Sequence, residues 1–170
     1  MAARNVDHLD DRLLVIERIF RAPCERVFDA WTKPELLMLW YAPRGCSIHF
    51  EHLDVRPGGR FHSRVRNPEF GDCWIVGIYE EVVKPERLVF TMGIADSAGR
   101  RIASAQAGHD AAWPEETRVV VTLEALQGRT LLRLEQNVSE ALAKKTGAHP
   151  SWLQMLEELD ELLANQGREG

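Results

Sequence analysis

The chain contains the run Val27-Phe28-Asp29-Ala30-Trp31-Thr32-Lys33-Pro34-Glu35-Leu36-Leu37-Met38-Leu39-Trp40 and, shortly after it, Asp54-Val55-Arg56-Pro57-Gly58-Gly59-Arg60-Phe61. The first run predicts two short amphipathic helices, because apolar side chains recur at i, i+1 and i+4 from Val27 and again from Leu36. In the second run, a proline and two glycines separate two strand-like segments, which is typical of a tight hairpin. Two tryptophan-rich helices ahead of a hairpin indicate that these helices form a lid over a cavity.

Bulk composition favours one globular domain. The 170 residues are 45% hydrophobic and 28% charged, close to the average of soluble domains. The formal charge of −5 argues against nucleic acid and anionic membrane as partners, because an acidic surface repels phosphate groups.

Targeting and cysteine patterns indicate a cytoplasmic protein. The cysteines Cys24, Cys46 and Cys73 are odd in number and have no C-x-x-C spacing, so a disulfide framework is not expected. The first residues lack the apolar segment of a signal peptide. The longest uncharged apolar run, residues 36–42, is too short to span a bilayer.

The order of predicted elements is strand, two helices, six strands and one long helix. Residues 13–20 form the first strand, and the helices cover 24–31 and a segment that starts at a capping box, Thr32 to Glu35. A second capping box at Ser151 starts the last helix, with Gly167 as its stop. The six later strands are predicted at 47–56, 60–66, 72–83, 87–92, 117–126 and 130–137.

This order predicts an α+β fold. About seven strands form a curved antiparallel sheet, two short helices follow strand 1, and the long C-terminal helix lies over a cavity. Residues 1–12 are expected to be a tail and residues 13–166 a single domain. The connection over residues 93–116 is either a functional lid or a disordered excursion.

The chain resembles the START-like (SRPBCC) superfamily with its helix-grip fold. Within it, the chain is similar to the family named after the C-terminal domain of the activator of the ninety-kilodalton heat-shock protein ATPase. The matching motifs are Arg21 to Pro23, Val27 to Thr32, Leu39 to Pro43, Asp54 to Phe61, Pro85 to Thr91, and Trp152 with the apolar helix after it. The resemblance implies a cavity between sheet and long helix; members of the superfamily bind lipids, polyketides or hormones, and a few catalyse cyclisation.

An apolar or amphipathic small molecule is therefore the leading expectation for the ligand. Trp31 and Trp40 are expected to gate the mouth of the cavity. Its expected walls are Phe50, Phe61, Phe90, Met92, Trp152, Met155 and Leu159. Strand alternation adds three expected polar contacts: Ser63, two residues from Phe61; His52, two residues from Phe50; and Gln136 in the last strand. Tyr79 is only a possible source of a hydroxyl group, because the inward phase of its strand is undecided.

Two other functions remain open. The same cavity could serve a cyclase or hydrolase with His52 or Tyr79 as general acid or base, or exposed apolar surface could dock a chaperone or a second copy as a homodimer. No catalytic residue, metal or cofactor is assigned. His49 and His52 are three apart on a strand, which places them on opposite faces, and no nucleotide-binding or hydrolase motif occurs.

Overall fold

A computed structural model describes residues 12–169, and the side chains of residues 168 and 169 are not considered. The tail predicted over residues 1–12 lies, apart from Arg12, outside the described residues. The strands are β1 (Leu14–Phe20), β2 (Ser47–Leu53), β3 (Arg60–Asn67), β4 (Gly71–Val83), β5 (Arg87–Ala95), β6 (Glu116–Leu126) and β7 (Arg129–Gln136). The helices are α1 (Cys24–Thr32), α2 (Pro34–Trp40), α3 (Glu140–Thr146) and α4 (Ala148–Glu169).

The seven strands form one antiparallel sheet in the order β1-β7-β6-β5-β4-β3-β2. Strands β2 to β7 follow one another as a meander, and β1 joins it by pairing with β7. The predicted α+β class, strand number and element order are thus confirmed. We call the face on which the α-helices pack the inner face.

Alternation along each strand determines which side chains reach the core. In β7, Thr130, Leu132, Leu134 and Gln136 are buried and the residues between them are not. β6 alternates in the same way, with Val119 and Val121 on the inner face. The core is therefore the layer between this face and the helices.

The α-helices rest on the two sides of the sheet and bridge its middle. α2 lies close to β2, α4 lies close to β1, and α1 lies close to β6 and β7. Within residues 12–169 no α-helix approaches the central strands β3, β4 and β5 as closely. Large side chains must therefore fill the space above these strands.

Helix ends differ in detail from the sequence predictions. Thr32 does not cap α2: it is the last residue of α1, and its hydroxyl donates to the Phe28 carbonyl oxygen at 2.8 Å. The short helix α3 was not predicted; Ser139 caps it by accepting from the backbone N–H of Leu142 at 3.1 Å. α4 begins at Ala148, three residues before the predicted cap, and continues past Gly167.

The long connection between β5 and β6 is ordered. Asp96 closes a turn by accepting from the backbone N–H groups of Ala98 and Arg100, both at 2.9 Å. A 3₁₀ turn follows at Ser104–Ala107, and the Ser104 hydroxyl donates to the Trp113 carbonyl oxygen at 2.7 Å. These bonds give the segment a defined conformation.

None of the helices in the described range, residues 12–169, has both the length and the apolar character needed to cross a bilayer.

Candidate ligand-binding site

Four aromatic side chains form the helix side of the interior. The Trp31 ring meets the Trp40 ring edge-on, with centroids 4.7 Å apart, and lies 6.4 Å from the Trp152 ring in a stacked arrangement. Tyr41, directly after α2, contacts all three, at 5.9 Å from Trp31, 5.2 Å from Trp40 and 6.0 Å from Trp152. The cluster joins α1, α2 and α4 above the sheet.

Three aromatic side chains form the sheet side. Phe61, Tyr79 and Phe90 are buried on the inner face of β3, β4 and β5, with centroids 5.6 to 6.3 Å apart. Gly77 lies beneath the Phe61 ring, and a β-carbon there would collide with that ring and with the Thr91 carbonyl oxygen. A glycine at this position therefore makes room for the aromatic group. The undecided phase of β4 is resolved, because Tyr79 points inward.

The glycine turn after β2 holds Tyr79 in place. The Gly58 N–H donates to the Tyr79 carbonyl oxygen at 2.7 Å, and the Tyr79 N–H donates to the Gly59 carbonyl oxygen at 2.8 Å. Gly59 has no room for a β-carbon against the Asp54 carbonyl oxygen. The turn thus extends the sheet beside Tyr79 and orients its side chain.

The two tyrosine hydroxyls lie in a desolvated environment. Burial raises the pKa of Tyr79, and burial together with the neighbouring Tyr79 raises the pKa of Tyr41. The indole N–H of Trp31 is buried without a hydrogen-bond partner in the described part of the chain. The aromatic interior therefore contains a buried donor whose hydrogen bond is not made.

The remaining space is lined by half-buried side chains. Phe50 on β2, Met92 on β5, Met155 on α4 and Trp113 from the β5–β6 connection all pack against the core without being enclosed by it. Ser63 lies buried on the inner face between Phe50 and Ile75. The inward directions predicted for Phe50, Phe61, Ser63, Phe90 and Met92 are confirmed.

The gating role expected of Trp31 and Trp40 stays a prediction, and in this structure both side chains are closed into the interior. Their side chains are only 2% and 1% exposed, and the Trp40 indole N–H donates to the Ala30 carbonyl oxygen at 2.9 Å. Both residues are therefore packed in the interior, together with the buried residues Val27, Phe28 and Leu37 of the same helices. Trp152 and Leu159, at 3% and 0% exposure, are also interior.

Gln136 is buried and inward-facing as predicted, but its amide is already engaged. Its oxygen accepts from the Trp152 indole N–H at 2.9 Å, and its nitrogen donates to the Thr117 hydroxyl at 3.0 Å. The side chain thus ties α4 to β6 and β7. We assign it a structural role in place of the expected ligand contact.

The inward direction expected of His52 is wrong. A β-bulge between Phe50 and His52 inserts one residue, so that His52 pairs with His62 and lies exposed on the outer face. The bulge also corrects the expected opposition of His49 and His52, since both now share that face. Among the described residues no group of three or more His, Cys, Asp or Glu side chains lies together as a metal site.

Two pockets open at the surface of the described chain. One, of about 500 Å³, is lined by Cys24, residues 85–87 and residues 122–125. The other, of about 230 Å³, is lined by residues 38–47 and Glu158, and shares Trp40 and Tyr41 with the aromatic cluster. Neither of these pockets is an enclosed cavity between the sheet and α4, where the sequence predicted one.

Sequence inspection missed Tyr41 and Trp113. Tyr41 lies in the family motif Leu39 to Pro43 but was not among the residues expected to contact a ligand. Trp113 lies in the long connection, whose packing against the core follows from tertiary contacts. The sequence feature that could have indicated an interior position for Tyr41 was its place directly after the apolar repeat that ends at Trp40.

Comparisons with known proteins agree with this architecture. A crystal structure of a protein from Chromobacterium violaceum is 25% identical, with a TM-score of 0.73 over 89% of this chain and 96% of that one. A solution structure of a protein from Arthrobacter aurescens is 22% identical, with a TM-score of 0.79 over 92% and 88%. The AHSA1 protein of Silicibacter pomeroyi is 23% identical, with a TM-score of 0.72 over 91% and 99%.

No curated protein matches the chain. The model of the family described as Activator of Hsp90 ATPase homolog 1-like protein matches residues 21–164, most of the chain and nearly all of the fold described above. The protein therefore belongs to this family.

Proposed function

We propose that the protein binds an apolar or amphipathic small molecule between the central strands β3 to β5 and the helices α2 and α4. The helices bridge these strands and rest on the sides of the sheet. Side chains alone fill the intervening layer, and Met92 and Met155 at its half-buried part are flexible groups that can repack around a ligand.

One observation carries the proposal: a buried polar group at this apolar layer has no partner. The Trp31 N–H is buried and unpaired within the described chain, and burial raises the pKa values of Tyr41 and Tyr79 in the same aromatic interior. Burying such a group unpaired costs about 1 to 3 kcal/mol. A ligand with a polar atom at this position would recover part of that cost.

The composition of the layer fits a small-molecule site. Such sites are mainly apolar and aromatic, with a few polar groups that orient the ligand. Phe50, Phe61, Phe90 and Met92 would contact the apolar part, while Ser63 and the tyrosine hydroxyls would contact the polar part. Acid–base chemistry by His52 has no support, because His52 lies on the opposite face of the sheet. The chaperone-docking and homodimer hypotheses stay predictions.

Titration with Nile red, a neutral amphipathic dye, tests the proposal. We expect saturable binding to the wild type and at least tenfold weaker binding to Met92→Trp, because the larger ring occupies the space that the ligand needs. Tyr79→Phe should also weaken binding, since it removes one of the orienting hydroxyls.

Ile19→Trp is the matched control. Ile19 lies on β1 and is 52% exposed, so a tryptophan there adds the same ring away from the inner layer. Unchanged affinity in this variant and reduced affinity in Met92→Trp would support the site. Equal affinity in all variants, or no saturable binding by the wild type, would refute it.

A further inference from the structure

A short segment connects the interior layer with solvent. We call residues 41–46 the strap; they follow α2 and reach across to α4. The strap leaves the helix at Tyr41, whose ring lies within the aromatic cluster, and turns at Gly45, whose φ of +82° favours glycine. Its two ends thus differ, with an aromatic group inside and a charged group outside.

Arg44 fastens the outer end of the strap to α4. Its backbone N–H donates to the Gln154 side-chain oxygen at 3.2 Å, and its guanidinium Nε donates to Glu158 at 3.2 Å. The guanidinium Nη2 lies 3.0 Å from a Glu157 carboxylate oxygen. Arg44 is 52% exposed and its partners are 50% and 33% exposed, and exposed ion pairs of this kind add little stability. Another anion could therefore replace these partners.

The 230 Å³ pocket lies along the strap. Its lining runs from Trp40 and Tyr41 to Arg44, and Arg44 is the one cation among its lining residues. Sites that enclose a small molecule usually measure roughly 300 to 1,000 Å³, so this pocket would hold only one end of such a ligand. The rest would have to pass Tyr41, which belongs both to the pocket lining and to the interior cluster.

Resting on the function proposed above, we infer that the ligand is an amphipathic carboxylate. Its carboxylate replaces Glu157 and Glu158 as the partner of Arg44, and its apolar part lies past Tyr41 in the layer beneath α4. A planar guanidinium matches a carboxylate with two parallel hydrogen bonds, and Arg44 already binds carboxylates here. A dianionic phosphate would be disfavoured more strongly than a monoanionic carboxylate, because Glu158 lines the pocket and Glu157 lies beside Arg44.

Isothermal titration with three twelve-carbon probes of equal length tests this assignment. Below their micellar concentrations, we expect dodecanoate to bind the wild type at least tenfold more tightly than dodecan-1-ol or dodecyl phosphate. In Arg44→Gln, dodecanoate should fall to the affinity of the alcohol, while the alcohol keeps its own. The double variant Glu157→Gln/Glu158→Gln should bind dodecanoate severalfold more tightly, because the competing carboxylates are gone.

Arg100→Gln is the matched control. Arg100 is 81% exposed and pairs with Asp96 in the β5–β6 connection, so its loss removes the same charge without touching the strap. Its dodecanoate affinity should equal that of the wild type.

The outcomes separate this inference from the proposed function. If the alcohol binds as tightly as dodecanoate, or Arg44→Gln changes nothing, the carboxylate assignment is overturned and the proposed site stands. If dodecyl phosphate binds most tightly, the head group is assigned wrongly. If neither these probes nor Nile red binds, the proposed function falls together with the inference.

Discussion

Replacing Gln136 with leucine should destabilise the protein while leaving ligand binding intact. Gln136, Thr117 and Trp152 are 2%, 2% and 3% exposed, and the amide of Gln136 bridges the other two. Leucine has a similar size but offers no hydrogen bond. The Trp152 N–H and the Thr117 hydroxyl would therefore be left buried and unpaired.

The expected magnitude follows from these two orphaned groups. Each costs about 1 to 3 kcal/mol, so the free energy of unfolding should fall by about 2 to 6 kcal/mol. For a chain of this size each kcal/mol lowers the Tm by about 2 to 4 °C, which gives a decrease of about 4 to 24 °C. Urea denaturation followed by circular dichroism measures the free energy, and a thermal melt measures the Tm.

A double-mutant cycle with Thr117→Val sharpens the test. In the double variant the Gln136–Thr117 pair is replaced by two apolar groups, so only the Trp152 N–H stays unpaired. The double variant should therefore lose less stability than the two single variants summed, with a coupling of about 1 kcal/mol or more. Strict additivity, or a change within about 0.5 kcal/mol for Gln136→Leu, would refute the bridging role. Reduced Nile red affinity in a folded Gln136→Leu protein would return Gln136 to the ligand contacts.

Three further predictions concern the interior and its supports. Gly77→Ala should lower the free energy of unfolding by several kcal/mol or abolish soluble expression, because the added carbon meets the Phe61 ring and the Thr91 carbonyl oxygen. As a control, Gly167→Ala on α4 should raise the free energy of unfolding by up to about 1 kcal/mol. Equal effects of the two variants in urea denaturation would contradict this. Tyrosinate absorbance at 295 nm should appear only as the fold is lost, since the pKa values of Tyr41 and Tyr79, the two tyrosines of the chain, are raised. The folded state keeps these protons to a higher pH than the unfolded state does, so the free energy of unfolding should decline as the pH rises above about 10, the ordinary tyrosine pKa. Reversible tyrosine ionisation near pH 10 with an unchanged circular dichroism spectrum would contradict this prediction. Ser139→Ala should remove the cap of α3 at a cost of about 1 kcal/mol, measured by urea denaturation beside Ser151→Ala, which lies inside α4 and should change little.

Sequence pattern alone predicted the architecture well, because strand alternation and the apolar repeats of α1, α2 and α4 are local signals. The inward phase of Phe61 and Ser63 followed from such alternation and was correct. His52 was predicted on the wrong face because a β-bulge shifts the phase of β2 by one residue. The residue types from Phe50 to Leu53 do not predict this bulge.

The roles of the interior residues were harder to predict. An apolar repeat shows that Trp31 and Trp40 face inward, but whether they line an opening or pack in the core depends on how α1, α2 and α4 meet. Gln136 was correctly turned inward, yet its partners come from β6 and α4, which are distant in sequence from one another. Local pattern thus gave the direction of a side chain, and tertiary packing determined what it contacts.

The link between the glycine turn and the site is also a tertiary effect. Residues 57–59 were predicted as a hairpin turn, and they do join β2 to β3. Their backbone bonds to Tyr79 connect this turn to β4, where they orient one of the two interior phenols. The turn therefore supports the proposed site as well as the fold.

Native mass spectrometry of freshly purified protein tests the central proposal most directly. We predict a population heavier than the bare chain by the mass of one small amphipathic molecule, which dissociates at higher collision energy and is depleted in Met92→Trp but retained in Ile19→Trp. A spectrum with only the bare mass, from protein that also fails to take up Nile red or dodecanoate, would contradict the proposal that the layer between the sheet and α4 binds a ligand.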